Sequence, residues 1–202
     1  MKRILTSVGL GIGVVALSAG SAIACPPTPT DPDPKYPQSK GWYFVNDTVT
    51  FPRGYACNVA IKFHVVGHQR TLVNGHLPPK DWKGPQPGDR VKNVSPDEIV
   101  TLTNLKNHRS VTKLISGTLY DHVQRNGTTI KTRGVGKNLF NGKGVQGIVY
   151  ASGKQRLTVT HFGTPRQTLH IDRTKGTTIE MCHVLGATAV PGKNLEPNSN
   201  HG

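Results

Sequence analysis

The chain has 202 residues, with 25 Lys and Arg against 11 Asp and Glu, for a formal charge of +14. That length suits one domain. With 35% hydrophobic and 18% charged residues, 23 Gly and 15 Pro, the composition excludes a helix bundle or coiled coil and suits a turn-rich β protein.

Residues 1–24 read as an export signal. Lys2 and Arg3 make a positive start, Ile4 to Leu17 form a mostly apolar stretch, and small residues lead to Ala22-Ile23-Ala24. The apolar stretch is shorter than the ~20 residues a spanning helix needs. No later segment has 18 consecutive apolar residues, so the mature chain is expected to lack a transmembrane helix.

Cleavage after Ala24 leaves Cys25 first, and the other cysteines are Cys57 and Cys182. An odd count leaves one thiol to explain. In one reading Cys57 pairs with Cys182 and Cys25 is a lipid-attachment site. Ala22-Ile23-Ala24-Cys25 resembles the bacterial lipobox, departing from it at Ala22, where Leu is usual. In the other reading ordinary signal cleavage leaves Cys25 as a thiol, or paired between chains. A Cys57–Cys182 bond joins an early strand to the last one and implies an oxidising compartment.

Residues 25–40 form a Pro-rich linker of polyproline II character. At ~3.1 Å per residue its first thirteen residues reach roughly 40 Å. A single domain is expected from 41 to 187, followed by a mobile polar tail, 188–202. Strand signals rich in Thr, Val and Ile cover Trp42–Phe51, Tyr55–Val66, Glu98–Leu105, Ser110–Ile115, Thr118–Arg125, Thr128–Val135, Gly147–Ala151, Gln155–Phe162, Gln167–Asp172 and Thr177–Val184. A Pro-rich loop from Leu77 to Gly88 interrupts them, with Trp82 as a core cover or a contact residue. The fold class predicted is all-β: one antiparallel sandwich or barrel-like domain.

Asn126-Gly127 predicts a two-residue type I′ hairpin. It would pair Arg125 with Thr128, Val123 with Ile130, His122 with Lys131 and Tyr120 with Arg133. Val123 and Ile130 then point into the core, with Asp121 and Thr132 on the same face. Tyr120, His122, Lys131 and Arg133 share the other face as a candidate binding patch.

Three stretches, TFPRGYAC (50–57), NGTTIKTRGVGKNLF (126–140) and TKGTTIEMCHVLGA (174–187), resemble a group of small secreted all-β proteins of actinobacteria. The resemblance implies an all-β fold and a Cys57–Cys182 pair. It carries no activity and no functional residues.

Residues 101–180 hold thirteen basic and three acidic residues, against nine and seven in 25–100. The positive field therefore belongs to the second half, and an anionic envelope polymer or lipid head groups are the expected partners. Nothing resembles a nucleic-acid-binding module, which ranks that partner below the others. No cofactor or metal is expected. Gly142-x-Gly144-x-x-Gly147 spells a dinucleotide fingerprint, but the strand-like Ile148-Val149-Tyr150 follows where a helix should, so the glycines are assigned to a turn. His64 and His68 share a strand face, with no third ligand marked by spacing. Asp121, Asp172 and Glu180 are the few carboxylates a hydrolase would have to use in this half. The expected function is an exported, envelope-associated, non-enzymatic binding protein with a basic surface. A secreted hydrolase or a structural envelope component is the alternative.

Overall fold

The β-branched and polar residues of this chain alternate over long stretches, and a computed structural model describing residues 35–194 turns that alternation into eight strands. The export signal, Cys25 and the start of the Pro-rich linker lie outside the described residues. The strands are β1 (Trp42–Phe51), β2 (Ile61–Val73), β3 (Arg90–Asn104), β4 (Ser110–Val123), β5 (Ile130–Phe140), β6 (Val149–Thr160), β7 (Thr168–Lys175) and β8 (Thr178–Glu180). A short helix, α1 (Met181–Val184), follows. All pairings are antiparallel. The sheet order is β1 through β7 in sequence, with β8 added to the lower part of β6.

The expected all-β antiparallel fold is therefore the one observed, with both packed layers supplied by one continuous sheet. Val49 and Phe51 of β1, Phe63 of β2, Leu102 of β3, Ile115 of β4, Leu139 of β5, Tyr150 of β6 and Met181 of α1 share one apolar cluster. A flat sheet could not bring β1 and β6 together, so the sheet curls until its inner faces meet. A second cluster, built on Leu119, Val123, Ile130, Phe140, Leu157 and Leu169, lines β4 to β7. A buried polar band that includes Gln69, Asn93, Glu98, Asp121, Asn138 and Gln155 also lies on the inner side.

Several strands run longer than the sequence suggests. Ser110–Ile115 and Thr118–Arg125 fuse into β4 through Gly117. Gly147–Ala151 and Gln155–Phe162 fuse into β6 through Gly153. At Gly117 the Asn138 carboxamide fills the space where a Cβ would sit. The segment expected as a strand over Thr177–Val184 is strand only to Glu180. There Glu180 Oε1 and Oε2 accept from the Cys182 and His183 N–H groups, both at 2.8 Å, and cap α1.

The hairpin keeps the predicted pairs Tyr120–Arg133, His122–Lys131 and Val123–Ile130. Its turn differs. Arg125 and Thr128 do not close a two-residue loop; Gln124 N–H donates to Thr129 O (2.8 Å) and Gly127 N–H to Gln124 O (2.9 Å). Type I′ needs positive φ at both central residues, and here Gly127 alone adopts it. Asn126 Oδ1 accepts instead from the Thr128 and Thr129 N–H groups, and that local bonding favours the longer turn. Both turns are in phase, so the strand register survives.

Cys57 and Cys182 form a disulfide with Cα atoms 5.6 Å apart, closing 125 residues of sequence. It pins the β1–β2 connection to α1. Residues 188–193, expected as part of a mobile tail, are instead bonded to the domain. Thr188 O accepts from Asn58 N–H and Val190 N–H donates to Ala56 O, both at 2.8 Å, and Lys193 N–H donates to Tyr55 O at 3.0 Å. The linker likewise ends earlier than 40: Tyr36 stacks on His68 at 4.3 Å and meets Trp42 edge-on at 5.0 Å. No helix among the described residues is long and apolar enough to cross a membrane.

Candidate functional site

Register, more than composition, organises the outer face. Lys92 of β3 pairs with Tyr120 of β4, Tyr120 with Arg133 of β5, Arg133 with Arg156 of β6, and Arg156 with Arg173 of β7. One row therefore crosses five strands at the ~4.8 Å strand spacing. The next row holds Arg90, His122, Lys131, Thr158 and His170. On the other side Val135 pairs with Lys154 and Lys154 with Lys175. The four residues proposed from sequence, Tyr120, His122, Lys131 and Arg133, sit together and exposed at the centre of this array.

Tyr120 holds its neighbours in place. The Arg133 guanidinium lies 4.8 Å from its ring centroid and Lys92 Nζ lies 5.6 Å away. Such contacts contribute ~0.5–1 kcal/mol each at exposed sites. The ring serves the protein's own cations, which fixes two charges at the head of the row. Lys131 Nζ donates to Thr158 Oγ1 (2.9 Å), and that hydroxyl donates to Asp172 Oδ2 (2.6 Å). Among the described residues Lys92, Arg133, Arg156 and Arg173 form no ion pair. Like charges directly opposite on neighbouring strands are destabilising, so this row is built at a cost to the fold.

The rest of the outer face has a different chemistry. On β1 to β4, Thr48 bonds His64 (2.9 Å), Thr101 bonds Thr112 (3.0 Å) and Thr103 bonds Ser110 (2.8 Å). Ile99 and Leu114 pair and are exposed. The directly paired rows of Lys and Arg thus lie on the β3 to β7 part of the face.

Beneath the face runs a second chain of polar groups. Tyr43 Oη donates to Gln69 Oε1 (2.8 Å), and Gln69 Nε2 donates to Glu98 Oε1. Thr71 donates to Asn93 Oδ1 (2.9 Å), Asn93 Nδ2 to Asp121 Oδ2 (3.2 Å) and Thr132 Oγ1 to Asp121 Oδ1 (2.5 Å). Burial pushes Glu98 up to about 7 and Asp121 up to about 6; hydrogen bonds from Ser95 and Gln69, and from Thr132 and Asn93, offset only part of it. Burial likewise pushes the Tyr43 phenol up to about 12. Glu98 Oε2 is buried with no partner, which disfavours the charged carboxylate in the same direction as burial does.

The carboxylates considered for hydrolysis do not converge. Asp121 is on the inner face, Asp172 on the outer face, and Glu180 caps α1. His64 and His68 are engaged separately, His64 with Thr48 and His68 Nδ1 with Asp97 Oδ2 at 2.9 Å. No group of three metal-ligating side chains gathers among the described residues. Gly142, Gly144 and Gly147 all adopt positive φ in the β5–β6 connection. Trp82 is half-buried in the Pro-rich loop, with its indole N–H buried and unbonded.

Sequence reasoning placed Tyr120, His122, Lys131 and Arg133 on one face through the hairpin, and did not bring Lys92, Arg156 and Arg173 beside them. Alternation in Lys154-Gln155-Arg156-Leu157 carries a signal for Arg156. Arg173 does not follow from alternation, because an extra residue at Asp172 shifts its register. No family model, curated protein or solved structure matches this chain.

Proposed function

We propose that this chain is an exported, envelope-associated binding protein that holds an anionic partner on the outer face of β3 to β7, without catalysing a reaction. The observation that carries this reading is the row of Lys92, Arg133, Arg156 and Arg173, which makes no ion pair among the described residues and sets Arg133, Arg156 and Arg173 on directly paired positions. A surface selected for solubility alone gains nothing from placing like charges on directly paired positions. An anionic partner relieves that repulsion when it binds. The Cys57–Cys182 bond supports an oxidising location. Export and tethering rest on residues 1–24 and Cys25, and the intact mass of the mature protein tests them. A diacylglyceryl adduct on Cys25 supports an anchor, and an unmodified Cys25 removes it.

Retention on isolated cell wall at rising salt tests the binding. Retention is expected to fall steeply between ~50 and 200 mM salt. It should be weaker for K131Q/R133Q and unchanged for K62Q, which alters the hydroxyl-rich part of the face. Retention indifferent to salt, or lost equally in K62Q, overturns the assignment.

A further inference from the structure

We infer that the partner is a flexible, linear chain of phosphates laid across the strands, and not the flat surface of a membrane. This rests on the binding face proposed above and adds the shape of what binds there.

The direction of the row makes the first argument. Its cations succeed one another from strand to strand, so the line of charge runs perpendicular to β3 to β7. A single small anion can satisfy one or two neighbours. A chain with one anionic group every one or two strand spacings, ~5–10 Å, satisfies every member at once. Three of the four cations are Arg, whose planar fork takes phosphate oxygens in pairs.

Twist makes the second. Neighbouring strands rotate by ~20–25°, so over four steps from β3 to β7 the outward direction of the face turns about the row by ~80–100°. A plane can touch only part of such a surface, whereas a flexible chain follows it. Composition makes the third. A membrane-docking surface places apolar anchors among its cations. Here the exposed Ile99 and Leu114 lie on the far side of the β3 irregularity between Ser95 and Glu98, away from the arginines; among the cations stand Tyr120, whose ring is engaged by Lys92 and Arg133, and the small side chain of Val135, which leaves no large free apolar anchor there.

The test titrates the full chain with three probes at equal total phosphate: long-chain inorganic polyphosphate, tripolyphosphate, and phosphatidylglycerol vesicles. The proteins are wild type, R133Q/R156Q/R173Q and K62Q. Long-chain polyphosphate is expected to bind at least tenfold more tightly than either other probe. The triple variant should lose at least tenfold, with a salt slope shallower by ~2, and K62Q should match wild type. If tripolyphosphate or vesicles bind as tightly as the long chain while the triple variant still weakens them, the linear partner is wrong and the basic face stands. If no probe binds, or the triple variant binds like wild type, the face itself is wrong. Circular dichroism checks the fold; should the triple variant misfold, R173Q on the edge strand β7 carries the same comparison.

Discussion

Glu98 and Asp121 are carboxyls held where water does not reach, and their protonation is linked to stability. Both have folded pKa values raised above their ordinary ones, so the folded state binds more protons than the unfolded chain. Their contribution is complete below about pH 4 and is lost as pH rises through about 6 for Asp121 and about 7 for Glu98. For Glu98 the loss is about 3 kcal/mol. E98Q keeps the Gln69 contact without the charge. Urea unfolding should find it more stable than wild type at pH 8 by about 1–3 kcal/mol, with a much smaller difference at pH 5. Gly136 offers a steric counterpart. Its φ is +95°, and a Cβ there would lie 2.4 Å from Ser116 O, so G136A should lower stability by at least ~1 kcal/mol in the same assay. Buried Val123 and Ile130 were legible by alternation. Glu98 was legible in principle, in phase with Val100 and Leu102, but its strand was read as starting there. The close approach of Gly67, where a Cβ would lie 2.5 Å from the Glu98 Cα, depends on paired irregularities in β2 and β3 that no local pattern announces.

At the scale of elements, alternation and turn chemistry located every long strand, with both ends right for β1 (Trp42–Phe51) and one or both displaced in the others. Glycine was read as punctuation in Ser116-Gly117 and Ser152-Gly153, whereas the strands pass through both. The reason is tertiary: the vacant Cβ space at Gly117 takes Asn138, and at Gly153 it admits the Lys175 backbone. The disulfide is the element-scale device whose removal is most measurable. Closing 125 residues removes unfolded-state entropy worth about 4–5 kcal/mol in the chain-entropy model. C57A/C182A should lose stability of that order in denaturant titrations, and wild type in reductant should approach it. A loss below about 1 kcal/mol would mean that the core packing of Met181 and Leu185, with the Met181 N–H to Ile148 O and Asn104 to Leu185 O bonds, holds α1 in place without the bridge.

For the whole molecule, the asymmetry of charge was readable from counts along the chain, but its alignment into rows was not, because alignment is a property of pairing between strands distant in sequence. That alignment predicts a stability effect opposite in sign to the binding effect. Arg156 sits between Arg133 and Arg173, so R156Q should raise Tm at low ionic strength by up to a few degrees, and the gain should shrink at 1 M salt. The sequential strand order has a consequence for how the chain acquires its shape. Each of β1 to β7 bonds its neighbour in sequence, so hairpins can close one after another as a polypeptide emerges N-terminus first from a narrow channel, each waiting only for the next few residues. The arrival of Cys182 opposite Cys57 is the step that cannot be taken early, and it places an oxidising catalyst, if one is needed, at the finish of maturation and not at its start.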